Sequence, residues 1–497
     1  MRKISFLLYI KVYCKLFSIS TIFNRPYRIL VAGLLGGILY GLSGCQKLVD
    51  VPAPATSIPQ HLVFSSDQEA ISALAGSYYK MVNTPIPTLI NGGMTIYCGL
   101  ASDELVLFDQ GNGPAMQFFQ NNLQANNPIV GTNFWEATYQ SIYQFNAILE
   151  AVQSAPMLSP AVKDQLTGQA LFGRALLHFH LVAVFGPVPL ITSTNWRTTN
   201  LQKRDTVATI YQHLIGDLKR AQDLLPAAYT LLPEGRTSAN KWAAAALLAK
   251  IYSLSGNWPD VERECDKIIA SGDYSLAATP SEVFLLNSSE AILQLKQDNT
   301  AYSFNATREG LTLLPIDGVF PFPPYGYLST SVLAGFEPGD QRKADWTRSR
   351  EINGNLLYYP AKYKVGPSQA EPGAPVLEAY MVLRLAEVFL LRAEARHQEG
   401  DLNGAIDDLN LIRQRASLPP LRKTLSGIDV FGALERERQA ELFCEWGHRW
   451  IDLRRWNLVE NVLSANKGHS VTASAQLFPI PANELMSNPA LEQNKGY

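Results

Sequence analysis

Helical periodicity that arrives in pairs constrains this chain more than any other feature. Residues 132–153 place Trp135, Tyr139, Ile142, Phe145 and Leu149 at steps of three and four, on one face of a helix. Next, Ser159 and Pro160 form a start signal and Gly186-Pro187 a stop, and between them runs GQALFGRALLHFHLVAVF, Gly168 to Phe185. A second pair covers 207–225 and 238–254, the latter with the alanine run Ala243 to Ala246 that permits close helix contact. Gly256-Asn257 ends it, and another helix follows over 260–270. A third pair spans 381–398 and 403–415 and turns at Gly400-Asp401. The chain is therefore expected to be mainly α.

These helix pairs, with small residues at crossings and Gly-Asn or Gly-Asp at turns, resemble tetratricopeptide repeats. The stretch between the second and third pairs differs in kind. Glu290 to Gln297 alternates like a short strand, and Asp298 to Ala379 then holds many Gly and Pro residues with little helical period. So long an irregular region inside a compact domain usually carries function.

The N-terminus has its own logic. Arg2, Lys3, Lys11, Lys15, Arg25 and Arg28 come with no acid among them, and the apolar run Ile29 to Leu42 follows. That is the charge order of an export signal, and the run is shorter than the roughly 20 residues a membrane span needs. It ends in Leu42-Ser43-Gly44-Cys45, which resembles a bacterial lipobox. Cleavage before Cys45 and acylation there would leave residues 1–44 as signal peptide and 45–60, with Pro52, Pro54 and Pro59, as a lipidated tether. The rest reads as an N-terminal region, 61–280, and a C-terminal region, 281–497, forming one compact unit.

Removal of the leader leaves 36 Lys and Arg against 44 Asp and Glu, a formal net charge of −8. That balance speaks against a nucleic-acid partner. Cys98, Cys265 and Cys444 are spaced too widely for a disulfide framework or a zinc site. His178 and His180 stand two apart, a spacing that does not share a helix face, and read as packed or half-exposed side chains rather than a metal pair. No His-Glu-x-x-His, phosphate loop or Gly-x-Ser-x-Gly elbow occurs, so no cofactor, metal or catalytic residue is expected.

Several segments in order resemble the SusD/RagB family of nutrient-binding outer-membrane lipoproteins. They are Gly168 to Leu190 with its Phe-Gly-x-Val-Pro-Leu exit; Arg204-Asp205-Thr206, Asp217-Leu218 and Leu225-Pro226; Gly235-Arg236-Thr237; and Asp340-x-Arg342. The C-terminal third adds Arg384-Leu385-Ala386-Glu387, Arg392 to Ala395, Leu409-Asn410 to Arg415-Ala416, Glu435 to Leu442, and Gly447-His448-Arg449-Trp450 through Trp456. It closes on Phe478-Pro479-Ile480-Pro481 and Gln493 to Tyr497. The resemblance implies a SusD-like fold with tetratricopeptide-like helix pairs and long irregular loops. It further implies a lipid-anchored binding protein on the outer membrane that presents a glycan to a SusC-like TonB-dependent transporter.

The charged C-terminal motifs read as structural, with Glu435 and Arg438, or Glu441 and Arg449, as expected pairs and Trp446, Trp450 and Trp456 as apolar area. The Pro-Ile-Pro and Gln-Asn-x-Gly-Tyr segments are expected to fix the chain end. Sugars offer C–H faces to aromatic rings and hydroxyls to amides. Two loop regions match: Phe108, Asn112 and Phe118 in FDQGNGPAMQFFQNN, and Phe322, Tyr325 and Tyr327 in the tyrosine- and proline-rich segment from Tyr302. Two rival readings remain open. A surface glycoside hydrolase would use the adjacent acids Asp103 and Glu104, in an expected loop; a helical scaffold would bind peptide or protein.

Overall fold

The structure, a computed structural model, describes residues 64–497 except 233–234, 301 and 318–322. The leader 1–44, Cys45, the tether 45–60 and Phe322 lie outside the described residues. Helix α1 (Asp67–Val82) starts at Ser66, whose hydroxyl accepts the Glu69 N–H. After a turn at Leu89–Gly93 come α2 (Met94–Ala101), strand β1 (Leu105–Leu107) and α3 (Gly113–Phe119). Helix α4 (Ala137–Ser154) continues from a wide turn at Ile129–Glu136.

Helix α5 (Pro160–Phe185) begins with proline at its first turn and ends where Gly186 takes φ +72°. It is long and apolar enough to cross a membrane, yet its apolar window is entirely buried by the protein, as a core helix is. Close approach of α4 and α5 rests on Gly173, where a Cβ would come within 2.4 Å of the Phe145 ring. Next come α6 (Val207–Leu224), α7 (Lys241–Leu254) and α8 (Trp258–Ala270). Arg174 on α5 crosses to Asp217 on α6 with hydrogen bonds of 2.7–3.0 Å and to Asn146 on α4 at 3.0 Å, so one buried guanidinium ties three helices.

Strands β2 (Ala291–Leu295), β3 (Gly326–Leu328), β4 (Thr347–Ile352), β5 (Asn355–Pro360) and β6 (Tyr380–Arg384) form three antiparallel pairs: β1 with β3, β2 with β6, β4 with β5. Helices α9 (Leu385–Gln398), α10 (Leu402–Arg415), α11 (Gly427–Leu442), α12 (His448–Arg455) and α13 (Val459–Lys467) complete the chain's longer elements. From α4 to α10 each helix packs on the next, the layered arrangement the paired periodicity predicts. Gln60–Tyr497 form one compact unit around a continuous apolar core.

Two expectations need correction. The third helix pair begins at Leu385, because Tyr380–Arg384 is a fully buried strand paired with β2, not the first turn of a helix. The segment 298–379 is not structureless: it holds short helices at Arg308–Leu313, Thr330–Gly335 and Gln341–Trp346 besides β3, β4 and β5. Each of those helices is under two turns, too short to display a period.

Candidate ligand-binding face

The two loop regions singled out in the sequence, more than 200 residues apart, meet in the β1–β3 ribbon. Its register pairs Leu105 with Leu328, Val106 with Tyr327 and Leu107 with Gly326. Backbone bonds extend it at both ends: Ser329 N–H donates to the Glu104 carbonyl at 2.9 Å, and Phe108 N–H to the Tyr325 carbonyl at 3.1 Å. Side chains alternate across a strand. Leu105, Leu107 and Leu328 therefore point into the core, and Val106, Phe108, Tyr325 and Tyr327 share the opposite, partly exposed face. Hairpin β4–β5 lies against β3, and of its two adjacent tyrosines, which alternate across the strand, Tyr358 packs against the core.

The tyrosine hydroxyl at the head of this face is held in place. Tyr325 is hydrogen-bonded to the buried Tyr97 and accepts from Asn112 Nδ2 at 3.3 Å. The other end of the Asn112 amide accepts the Ala115 N–H at 3.3 Å and caps α3. Asn112 is thus a positioning residue: its amide is engaged with helix and tyrosine.

Phe118 corrects the expectation of a ligand contact. It is fully buried, its ring centroid 5.0 Å from Tyr97 and 5.3 Å from Phe478, and it offers no surface. Its neighbour Phe119 is partly exposed beneath Lys467, whose ammonium lies 5.2 Å from the ring. That ammonium donates to the Leu100, Ala101 and Phe119 carbonyls and to Asn121 Oδ1 at 2.7–3.0 Å, bolting α13 to the loop that carries the face.

Asp103 and Glu104 lie in a turn, as expected, but both are buried, so neither carboxyl is open to a sugar at the surface. Arg449 grips Asp103 at 2.8 and 3.0 Å, with Ser331 and Asn466 donating to the same carboxylate at 2.9 and 2.8 Å. Burial alone would raise this carboxyl, but the Arg449 hydrogen bonds and charge outweigh it and hold it below the usual range. Burial pushes Glu104 the other way, up to about 8, although its Oε1 accepts the Cys444 N–H at 3.1 Å. The two histidines of α5 each bond the carbonyl four residues back, and burial pushes both down to about 3, so they are neutral packing groups.

A family model described as "Starch-binding associating with outer membrane" matches residues 106–253, and the model of the SusD family matches residues 340–497. The chain belongs to the SusD family. A SusD-like protein of Formosa agariphila is 28% identical over 426 residues, 73% of this chain and 79% of that one. The structure of a SusD superfamily protein from Bacteroides vulgatus superposes with a TM-score of 0.74 at 22% identity, covering 87% of this chain and 100% of the other. A laminarin-binding SusD-like protein gives a TM-score of 0.72 at 21% identity, covering 87% and 99%.

In this SusD-family chain the motif residues build the interior. Glu441 is held by Arg342 at 3.3 Å and by Arg384 at 2.6 Å, with Arg415 also bonded to it; Arg384 further engages Glu445, and Arg342 engages Asp340 and Glu437. Lys362, bonded to Glu445, lies among Trp346, Phe443 and Phe284 at 4.5, 4.1 and 5.4 Å. Glu441 is therefore not the partner of Arg449, and Arg438 pairs with Asp452 rather than Glu435. Glu435 lies instead 3.4 Å from Arg449. The chain end is fixed as expected: Asn494 donates to the Phe185 and Phe478 carbonyls at 2.8 Å each and accepts from Arg204 at 2.6 Å. Sequence reasoning missed Val106, which shares the aromatic face, and Tyr97, which anchors Tyr325; only strand alternation around Leu105 and Leu107 pointed towards the first.

Proposed function

We propose that this protein captures a polysaccharide or oligosaccharide at the bacterial surface and passes it to a SusC-like TonB-dependent transporter. The carrying observation is the convergence of Phe108, Tyr325 and Tyr327 on one partly exposed ribbon face. Aromatic rings suit the C–H faces of sugars. Membership of the SusD family and likeness to a laminarin-binding relative support the glycan class.

The same reading places a lipid on Cys45 after loss of residues 1–44, with the tether 45–60 spacing the domain from the outer membrane. Binding without bond cleavage accords with Asp103 and Glu104 being committed to internal contacts. The test is affinity electrophoresis of the chain from Gln46 onward through gels containing laminarin, starch and other plant, host and microbial polysaccharides. Retardation by one polymer, abolished in Phe108→Ala/Tyr327→Ala with the melting temperature unchanged, is the expected result. Equal retardation of the variant would remove the ribbon from the site.

A further inference from the structure

Trp196 stands 64% exposed on a four-residue helix, Trp196–Thr199, of which no residue is buried, so nothing in the core calls for an indole there. The segment that carries it is nonetheless held firmly. The Glu150 carboxylate accepts the Thr194 N–H and the Ser193 hydroxyl at 2.9 Å each, and the Thr194 hydroxyl as well. Asn146 donates to the Ile191 carbonyl at 3.0 Å and Tyr139 to the Pro189 carbonyl at 2.8 Å. Tyr139, Asn146 and Glu150 all belong to α4, so the segment runs along that helix and delivers Trp196 at its C-terminal end.

Two further features meet at that end. Met157, 72% exposed, lies in the connection from α4 to α5. The Ser159 N–H, two residues on, donates to Asp67 Oδ1 at 2.9 Å, so α1 begins there too. The described chain starts at residue 64, three residues before α1, and whatever precedes it enters the compact unit on this side. The opposite end of α4 leads to the ribbon: Phe134, just before the helix, packs 5.7 Å from Tyr97, which holds Tyr325. The 18 residues of α4, at 1.5 Å each, put about 27 Å between the two ends.

Charge sets the Trp196 segment apart from the rest of the chain. Residues 191–204 contain Arg197, Lys203 and Arg204 and no acid, although the formal charge past residue 44 is −8. Arg197 stacks on Trp196, its guanidinium carbon 5.5 Å from the ring centroid, and neither it nor Lys203 has a carboxylate partner among the described residues. Of the acids at this end, Asp67, Glu69 and Glu150 already accept N–H or hydroxyl donors, and Asp164 has Lys163 beside it in the chain. Indole rings settle at the boundary between lipid and water, and Lys and Arg heads reach anionic headgroups from there.

We propose that the end of the domain bearing Met157, Trp196, Arg197 and Lys203 rests on an anionic lipid surface, with the indole in the interfacial layer. The proposal rests on the lipid-anchor reading for its setting: a tether at Cys45 presents the domain to the bilayer at an effective concentration on the order of millimolar, so a weak contact suffices. The contact holds the ribbon off the bilayer by the length of α4, open to a polymer.

The test uses the chain from Gln46 onward, without lipid, and vesicles of phosphatidylglycerol or of phosphatidylcholine; neither headgroup is a sugar, so the ribbon does not contribute. Sedimentation at low salt is expected to show association with phosphatidylglycerol vesicles that weakens about five-fold for Arg197→Ser and about five-fold again when Lys203→Ser is added. Brominated acyl chains are expected to quench the emission of the parent more than that of Trp196→Ser. All three side chains are exposed, so melting temperatures should match the parent's. No association with phosphatidylglycerol, association undiminished in Arg197→Ser/Lys203→Ser, or equal quenching of the parent and Trp196→Ser overturns the proposal. Acylation is read separately, as palmitate labelling lost in Cys45→Ser, so failure of the anchor and failure of the lipid-facing surface are told apart.

Discussion

Glu104 shows how much a single buried group can govern. Its carboxyl is raised from 4.5 to about 8 by burial, with Oε2 lacking a partner among the described residues. A carboxyl raised on folding stays protonated in the native state while its unfolded counterpart ionises, so its contribution to stability is full below pH 4.5 and is lost as pH rises to about 8. Glu104→Gln keeps the acceptor for the Cys444 N–H and removes the titration. Urea unfolding at several pH values should show the variant gaining on the parent by up to about 1.4 kcal/mol per pH unit across that interval and by nothing further above it. A constant difference across pH would mean that Glu104 is ionised in the fold. Such roles were hidden in the sequence. Asp103-Glu104 is one dipeptide, yet Arg449 lowers one member and burial raises the other, because their surroundings come from residues some 340 positions away. The same distance explains why Glu441 was assigned the wrong arginine: proximity along a helix is legible, but a cluster of Arg342, Arg384 and Arg415 around it is not.

Helices were more legible than their contacts, because their end signals are local. Pro160, Gly186 and Asp401 each mark an end with their own backbone or side-chain chemistry. Residues 381–384 read as the start of a helix because a run of buried residues satisfies a helix or a strand equally, and only pairing with β2 decides. Between helices, Arg174 and Asp217 form the join that the sequence displayed as two unrelated motif pieces. Arg174→Met leaves the Asp217 carboxylate buried without its guanidinium and should cost about 3–5 kcal/mol in denaturant unfolding. Replacing both, Arg174→Met with Asp217→Leu, should recover most of that loss, since a matched apolar pair carries no stranded charge. If the double variant is as unstable as the single one, the pair's value lies in Asn146 and the α4 contact instead.

At the scale of the whole molecule, the division into 61–280 and 281–497 is one of sequence and not of folding. Bonds between the two regions are buried and numerous in kind. Strand β1 completes its ribbon with β3; Tyr380 donates to Asn91 at 2.6 Å; Arg449 clasps Asp103; and α8 packs on α9. The ribbon face exists only when both regions are present, since Val106 and Phe108 come from one and Tyr325 and Tyr327 from the other. Residues 64–280 alone would expose the core surfaces of α2, α7 and α8 and leave Asp103 buried in part without its arginine. Expressed separately, that fragment should show no cooperative thermal transition by calorimetry, should bind a hydrophobic dye, and should not retard in any gel that retards the whole chain. A sharp calorimetric peak from the fragment would instead make 61–280 a domain in its own right. The ribbon would then be an interface between two domains, with ligand affinity depending on how firmly they dock. Under the single-core arrangement, variants such as Asp103→Asn should lower melting temperature and ligand affinity together, whereas Phe108→Ala should move affinity alone, because its side chain lies outside the core that Asp103 helps to close.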